Sequence, residues 1–126
     1  MSEIDLKEYS QFVDKVTSEE SKDSTAFRQR LDDLGNGDIP RLLTAAMGLS
    51  AESGEFTEIV KKLVFQGKPL TDDTRTHMIK ELGDVMWYWT QGCMALGIDP
   101  NKVIDMNKEK LLARYPEGEF EVAKSE

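Results

Sequence analysis

Two long stretches in which apolar residues recur every three or four positions constrain the fold of this chain most. The first stretch carries Leu42, Met47, Leu49, Phe56, Ile59, Val60 and Leu63. The second carries Met78, Leu82, Val85, Trp89, Cys93 and Leu96. Steps of three and four place side chains on one face of an α-helix, whereas the alternation expected of a strand is weak throughout the chain. The sequence therefore predicts an all-α protein.

Residues that begin and end helices stand on both sides of these stretches. Asp38 followed by Pro40 is typical of a helix N-terminus, because aspartate caps the free amides and proline fits the first turn. Gly67 is predicted to end this helix, and Gly97 the next. The other boundary residues are Pro69 after the first helix, Thr71 or Asp72 before the second, Asp99 and Pro100 before a further helix, and Pro116 and Gly118 after it.

Three shorter segments complete the predicted architecture. Residues 3–17 have their apolar side chains on one helical face, and a short helix is predicted around residues 26–34. The helix that begins at Pro100 carries Val103, Met106, Leu111 and Leu112. Because the connections are short, neighbouring helices should pack antiparallel. We therefore expect a single domain, residues 1–126, folded as a four-to-five-helix bundle.

The composition argues against several classes of protein. The net charge of −8 disfavours non-specific nucleic-acid binding, which depends on Lys and Arg. Cys93 is the only cysteine, so neither an intrachain disulfide nor a zinc cluster is expected. No apolar run is long enough to cross a membrane, and the acidic N-terminus lacks the basic and apolar regions of a signal peptide. These features predict a cytoplasmic protein.

Two pairs of carboxylates lie within the two apolar stretches. Glu52 and Glu55 form the first pair, and Glu81 and Asp84 form the second. The i,i+3 spacing places both members of a pair on one helical face, with Cβ atoms about 5–6 Å apart. If the two helices pack together, the four acidic groups converge and repel one another unless a cation neutralises them. Mg²⁺ or Mn²⁺ would suit such a set of hard oxygen ligands.

Each carboxylate pair also flanks a glycine, Gly54 or Gly83. A glycine inside a helix costs about 1 kcal/mol relative to alanine. Close approach of the two helices, or space for a ligand, would offset that cost. Two pairs with two glycines therefore predict a metal-dependent enzyme acting on phosphates rather than two solvated helical faces.

The spacing Glu52-x-x-Glu55, twenty-five intervening residues and Glu81-x-x-Asp84 resembles the metal-binding motif of the MazG-type all-α nucleotide pyrophosphohydrolases. Three further segments that resemble this family are residues 61–68 at the end of the first long helix, 82–88 in the second, and 107–116 on the substrate side. The resemblance covers roughly residues 40–120. It implies hydrolysis of a (deoxy)nucleoside triphosphate to the monophosphate and pyrophosphate, by attack of water on the α-phosphorus.

The resemblance also implies roles for individual residues. The four carboxylates would bind Mg²⁺, with Mn²⁺ as a substitute, and Glu52 or Glu55 would orient or deprotonate the attacking water. Lys110 and Arg114 lie one turn apart on the helical face of Asn107, which suits contacts with phosphate and with sugar or base. The other candidate substrate-binding residues are Lys61, Trp87 and Tyr115.

Several of these residues also have an ordinary structural interpretation. Lys110 and Arg114 could compensate the dipole at a helix C-terminus. Trp87 and Tyr88 could pack in the core instead of stacking on a base. His77 is expected to be a surface histidine rather than a ligand.

Two other functions stay open at the level of sequence. A di-iron carboxylate bundle would use Glu-x-x-His motifs, whereas this chain has one histidine, in the order His77-x-x-x-Glu81; an iron-free, colourless protein would exclude it. A non-enzymatic helical interaction module, with a structural or vestigial carboxylate cluster, would be excluded by turnover. The apolar surface left exposed by a short bundle, together with the family resemblance, predicts a homodimer or homotetramer.

Overall fold

A computed structural model describes residues 3–125, which divide into two compact units between Gly37 and Asp38. The regular secondary structure of these residues is entirely helical. The five α-helices are α1 (Leu6–Val16), α2 (Ser24–Asp33), α3 (Ile39–Phe65), α4 (Asp72–Leu96) and α5 (Pro100–Arg114). The predicted all-α fold is therefore confirmed. Residues 1, 2 and 126 of the predicted single domain lie outside the described part.

The first unit contains α1, a short 3-10 turn and α2. Asp5 caps α1 by accepting a hydrogen bond from the Lys7 amide at 3.0 Å. Asp23 caps α2 by accepting one from the Ala26 amide at 2.8 Å. Both helices lie where the sequence predicts them. The predicted apolar face of α1 is exposed in this chain at Tyr9, Phe12, Val13 and Val16.

The helices of the second unit begin at the predicted capping residues. In each case a side-chain oxygen of the capping residue accepts a hydrogen bond from a backbone amide of the first turn. Asp38 Oδ1 accepts from Arg41 (3.3 Å), Thr71 Oγ1 from Thr74 (3.2 Å) and Asp99 Oδ1 from Asn101 (2.8 Å). Of the two residues predicted to cap α4, Thr71 does so and Asp72 is the first helical residue. Gly97 ends α4 with a φ of 64°, a left-handed conformation that glycine adopts without strain.

The second unit is organised by the antiparallel packing of α3 against α4. Ala45 lies opposite Gly92, and three residues later Gly48 lies opposite Tyr88, so numbers rise along one helix as they fall along the other. Gly48 is buried, and a Cβ at this position would overlap the Tyr88 ring. Cys93 is buried beside this contact region on α4, as predicted for a small core residue. Small side chains therefore allow the two helices to approach closely.

The buried face of this helix pair differs in part from the predicted apolar line. Met47, Leu82 and Leu96 are exposed, although the spacing placed them on the buried face. Within the single chain, the close contact between the two helices is made by small residues such as Ala45 and Gly48 instead. Exposure of large apolar groups on both long helices leaves part of their surface uncovered.

The glycines beside the carboxylates do not mediate close helix packing within the chain. A Cβ at Gly54 or Gly83 would meet no other atom within 4 Å. The prediction that these glycines allow close approach of two helices is therefore wrong within one chain. The space beside both glycines is open, as the alternative of room for a ligand requires.

The remaining helix of the second unit, α5, touches α4 at few positions. Val103 is half-buried, whereas three other predicted apolar residues are exposed: Met106, Leu111 and Leu112. No described helix combines the length and the apolar character needed to cross a membrane.

Candidate metal centre

Three of the four predicted metal-binding carboxylates come together between α3 and α4. Glu52 and Glu55 lie one turn apart on α3, and Glu81 approaches them from α4. Each offers one carboxylate oxygen, and these oxygens lie within 4.8 Å of one another. We call these three residues the carboxylate cluster. Asp84 is outside the cluster, although its charge still acts on Glu52.

The cluster changes the ionisation of Glu52. A hydrogen bond with the Glu81 carboxyl raises the pKa of Glu52, and desolvation and the charges of Glu81, Asp84 and Glu55 raise it further. The metal-free cluster therefore favours the protonated form of Glu52 more than an isolated glutamate would, and a bound cation would relieve the same repulsion.

Glu81 is the buried member of the cluster. Its side chain is 8% exposed, and its Oε1 atom lies 3.2 Å from Nε2 of His77. Its Oε2 atom is buried, and when the cluster is ionised no hydrogen-bond donor of the described residues reaches it. An ionised carboxylate in such surroundings is costly unless it is paired or bound to a metal. A cation at the cluster would supply the partner that Oε2 lacks.

The cluster fits a divalent metal that prefers oxygen ligands. Within the described residues, the group whose ligand atoms converge contains three carboxylates and neither histidine nor cysteine. Such an all-oxygen set suits Mg²⁺ or Mn²⁺ better than zinc, which favours nitrogen and sulfur. The absence of a Glu-x-x-His motif in the sequence also disfavours the di-iron alternative.

A cavity of about 390 Å³ adjoins the cluster on the side of Glu55. Its polar lining includes Glu58, Lys62 and His77. The predicted substrate-binding residue Lys61 lies one residue before Lys62, and its Nζ atom is 3.1 Å from Glu58 Oε1. Hydrogen bonding to Lys61 lowers the pKa of Glu58. The structure thus places positive side chains about two turns from the cluster along α3.

Two of the predicted substrate residues on and beside α5 share a second cavity. Asn107 and Tyr115 line this cavity, which measures about 360 Å³ and has largely apolar walls, including Phe120. Lys110 is exposed, and Arg114 is half-buried in the last turn of α5. Of the four predicted residues in this segment, the structure brings Asn107 and Tyr115 to one cavity.

The two aromatic residues considered for base stacking differ in their surroundings. Tyr88 is half-buried against Gly48, which is the packing role offered as an alternative. Trp87 is 57% exposed and makes an edge-to-face contact with Tyr88, with ring centroids 4.9 Å apart. The Trp87 ring is therefore accessible, and it borders a cavity with Gly83 and Met86.

Two residues near the cluster, His77 and Glu58, were not predicted from the sequence to take part in its surroundings. His77 is 58% exposed, as expected of a surface histidine, yet it contacts the buried Glu81. Its i,i+4 spacing from Glu81 was the available signal. Glu58, one turn beyond Glu55, joins the adjoining cavity and pairs with Lys61 and Lys62. The i,i+3 spacing of Glu58 from Glu55 does not distinguish it from an ordinary solvated glutamate, so its position beside the cluster could not be predicted from the sequence.

Comparison with known proteins agrees with this geometry. Residues 41–118 match the family described as the MazG nucleotide pyrophosphohydrolase domain. The Gene 37 protein of Mycobacterium phage L5 is 36% identical over 88 residues, which cover 67% of this chain and 77% of that protein. No solved structure shows significant similarity. The matched segment contains all four predicted metal-binding carboxylates, and the chain belongs to the MazG nucleotide pyrophosphohydrolase family.

Proposed function

We propose that this chain hydrolyses (deoxy)nucleoside triphosphates to nucleoside monophosphate and pyrophosphate, with Mg²⁺, by attack of water on the α-phosphorus. The observation that carries the proposal is the buried Oε2 atom of Glu81, which has no donor and belongs to a cluster of three carboxylates. The cluster lies inside the segment that matches a nucleotide pyrophosphohydrolase family.

The carboxylate cluster and Asp84 would hold the metal. Glu52, Glu55 and Glu81 each offer an oxygen, and Asp84 is the proposed fourth ligand. When bound, Mg²⁺ would neutralise charge on the phosphate oxygens and lower the pKa of a water molecule. Mn²⁺ would be a substitute, because it accepts the same oxygen ligands.

Glu52 or Glu55 would accept the proton of the attacking water. A general base works best when its pKa lies closer to the working pH than that of an ordinary carboxylate. Hydrogen bonding with Glu81, desolvation and the neighbouring carboxylates move the pKa of Glu52 in that direction. This shift belongs to the metal-free cluster, because a bound cation would favour the ionised carboxylate; the assignment of the base to Glu52 or Glu55 therefore rests on the family resemblance.

Side chains outside the cluster would bind the nucleotide. The cavity shared by Asn107 and Tyr115 has apolar walls that suit a base or sugar. Lys110 is exposed and would contact phosphate. The further proposed contacts are those of Arg114 with sugar or base, Trp87 with the base, and Lys61 with phosphate. We also propose that the enzyme acts in the cytoplasm as a homodimer or homotetramer.

A non-enzymatic interaction module is the alternative, and the cluster disfavours it. Charged residues with a structural role normally stay at the surface or are paired. Glu81 is buried with one oxygen that lacks a donor, which costs stability in a protein that binds no cation. Turnover of a nucleoside triphosphate decides between the two functions.

Hydrolysis in ¹⁸O-labelled water tests the proposed reaction directly. With Mg²⁺ and a panel of nucleoside triphosphates, the label should appear in the nucleoside monophosphate, and pyrophosphate should remain unlabelled. EDTA should abolish turnover. Label in orthophosphate, with nucleoside diphosphate as the other product, would contradict attack at the α-phosphorus.

Two glutamine variants connect the reaction to the cluster. Glu52→Gln should lower turnover by about 10²–10⁴-fold, the usual contribution of a general base. Glu8→Gln removes the same charge from an exposed position in α1 and should leave turnover unchanged. Equal activity of both variants would place the reacting centre elsewhere.

A further inference from the structure

His77 contacts the one cluster member that the fold buries. Its Nε2 atom lies 3.2 Å from Oε1 of Glu81, four residues later on α4. The histidine side chain is 58% exposed, whereas that of Glu81 is 8% exposed. His77 therefore lies between solvent and a carboxylate that solvent scarcely reaches.

The contact distinguishes the two oxygens of Glu81. Oε1 lies 3.2 Å from Nε2 of His77, which is within reach of a hydrogen bond or ion pair, and Oε2 is buried without a hydrogen-bond partner among the described residues. A hydrogen bond to one oxygen of a carboxylate would restrict rotation about its last torsion and so favour one direction for the other oxygen. Residues that bind metals are commonly oriented by such a neighbouring hydrogen bond.

His77 is not itself placed as a ligand. The converging group of ligand atoms in the described residues consists of Glu52, Glu55 and Glu81. His77 instead lines the cavity beside Glu55, together with Glu58 and Lys62. Its contact with the cluster is therefore the one through Glu81 Oε1.

We propose that His77 is a positioning residue, which holds Oε1 of Glu81 by a hydrogen bond so that Oε2 is presented to the divalent metal. This inference rests on the proposed function, because it assumes that the cluster binds Mg²⁺ or Mn²⁺. It assigns His77 a role in metal affinity that is independent of contact with the substrate. The required feature of the side chain is a hydrogen-bond donor at this position.

Two substitutions separate hydrogen-bond donation from simple packing. His77→Leu replaces the imidazole with a side chain that can pack but cannot donate a hydrogen bond. His77→Gln retains an N–H group that can reach a carboxylate one turn away. Thr76→Leu adds an apolar side chain at the adjacent exposed position and serves as the matched control.

The measurement is the affinity of the full chain for Mn²⁺ alone, by calorimetric titration without nucleotide. Loss of an orienting neighbour commonly costs about 10–100-fold in metal affinity, so His77→Leu should bind Mn²⁺ at least about tenfold more weakly. His77→Gln should recover most of the affinity, and Thr76→Leu should match the wild type. A cooperative thermal transition in EDTA for each of the four proteins shows that they are folded, which separates weaker metal binding from misfolding.

The outcomes distinguish this inference from the function on which it rests. Wild-type affinity in His77→Leu, or equal losses in His77→Leu and His77→Gln, would overturn the positioning role while leaving the proposed hydrolysis intact. A wild-type protein that binds no Mn²⁺ and releases no pyrophosphate would overturn the proposed function, and the positioning role with it.

Discussion

Glu52 and Glu58 lie on the same helix, and their pKa values are displaced in opposite directions. Hydrogen bonding with Glu81, desolvation and neighbouring carboxylates raise the pKa of Glu52. Hydrogen bonding and charge from Lys61, with a contribution from Lys62, lower the pKa of Glu58. Two residues of the same type, six positions apart, thus respond to an acidic and to a basic neighbourhood.

The raised pKa of Glu52 predicts that metal-free protein loses stability as pH rises. The folded chain holds the Glu52 proton more tightly than the unfolded chain, so the free energy of unfolding falls between the ordinary glutamate pKa and the raised one. The groups that face Glu52 are Glu81 and Asp84 from α4 and Glu55 from α3. Denaturant titrations in EDTA across a pH series, for the wild type and Glu52→Gln, should show this loss in the wild type and a flatter profile in the variant.

Glu58→Gln is the control with the opposite sign. Because Lys61 lowers the pKa of Glu58, its stabilising contribution is present above the ordinary glutamate pKa and is lost as pH falls. The wild type should therefore gain stability over Glu58→Gln as pH rises. If stability relative to the wild type changed with pH in the same direction for Glu52→Gln and Glu58→Gln, the result would contradict the environments assigned to the two glutamates.

Mg²⁺ should remove the loss of stability assigned to Glu52, because its binding to the folded state stabilises that state.

The carboxylate cluster was predictable from the sequence, and its surroundings were not. The i,i+3 spacing specifies which glutamates share a face, and the short connection brings the two helices together. Inclusion of Asp84 as a metal ligand stays a prediction, since it lies outside the converging oxygens. The contact of His77 with Glu81 depends on side-chain rotamers, which residue spacing alone does not determine.

At the scale of helices, the contact between α3 and α4 depends on glycine at one position. Gly48 is buried against the Tyr88 ring, whereas Gly54, one and a half turns later, faces open space. Both glycines lower helix propensity by about the same amount relative to alanine. Their replacement therefore separates packing from propensity.

Gly48→Ala should destabilise the protein, and Gly54→Ala should stabilise it. A methyl group at position 48 would overlap three atoms of the Tyr88 ring, so we expect the cost of overpacking to lie above the lower end of the usual range of about 1–3 kcal/mol and to exceed the roughly 1 kcal/mol gained in helix propensity. A methyl group at position 54 meets no atom and should add about 0.5–1 kcal/mol. Equilibrium denaturation of both variants tests this difference. Equal stabilisation by both substitutions would mean that the helices do not approach at Gly48.

The helix boundaries followed from the sequence because local chemistry decides them. Asp38, Thr71 and Asp99 cap helices through their own side chains, and Gly97 adopts a positive φ that few other residues tolerate. The buried face of the two long helices was predicted less accurately, because hydrophobic periodicity assigns large residues such as Met47 to the core, whereas Met47 is exposed in the single chain. In this chain, small residues allow close helix packing instead, and that depends on both helices at once.

At the scale of the whole molecule, the single chain leaves much of its apolar surface uncovered. Among the described residues, the buried apolar side chains are those of Ala45 and Cys93. Ile79, Leu82 and Met86 form a stripe of exposed apolar residues at i, i+3 and i+7 on α4, which we call the α4 stripe. Contiguous exposed apolar surface is typical of protein interfaces. The α4 stripe therefore supports the proposed self-association through the second unit.

Self-association predicts that molar mass and melting temperature both depend on concentration. Light scattering after size exclusion should give two or four times the chain mass, and the melting temperature should rise with protein concentration because assembly stabilises the folded state. Leu82→Lys, which places a charge in the α4 stripe, should yield monomer and remove this dependence. Leu70→Lys makes the same substitution at an equally exposed leucine in the loop between α3 and α4, and should leave the assembly intact. A wild type that is monomeric at all concentrations would contradict the proposal, and an assembly that survives in Leu82→Lys would place the interface on another apolar surface.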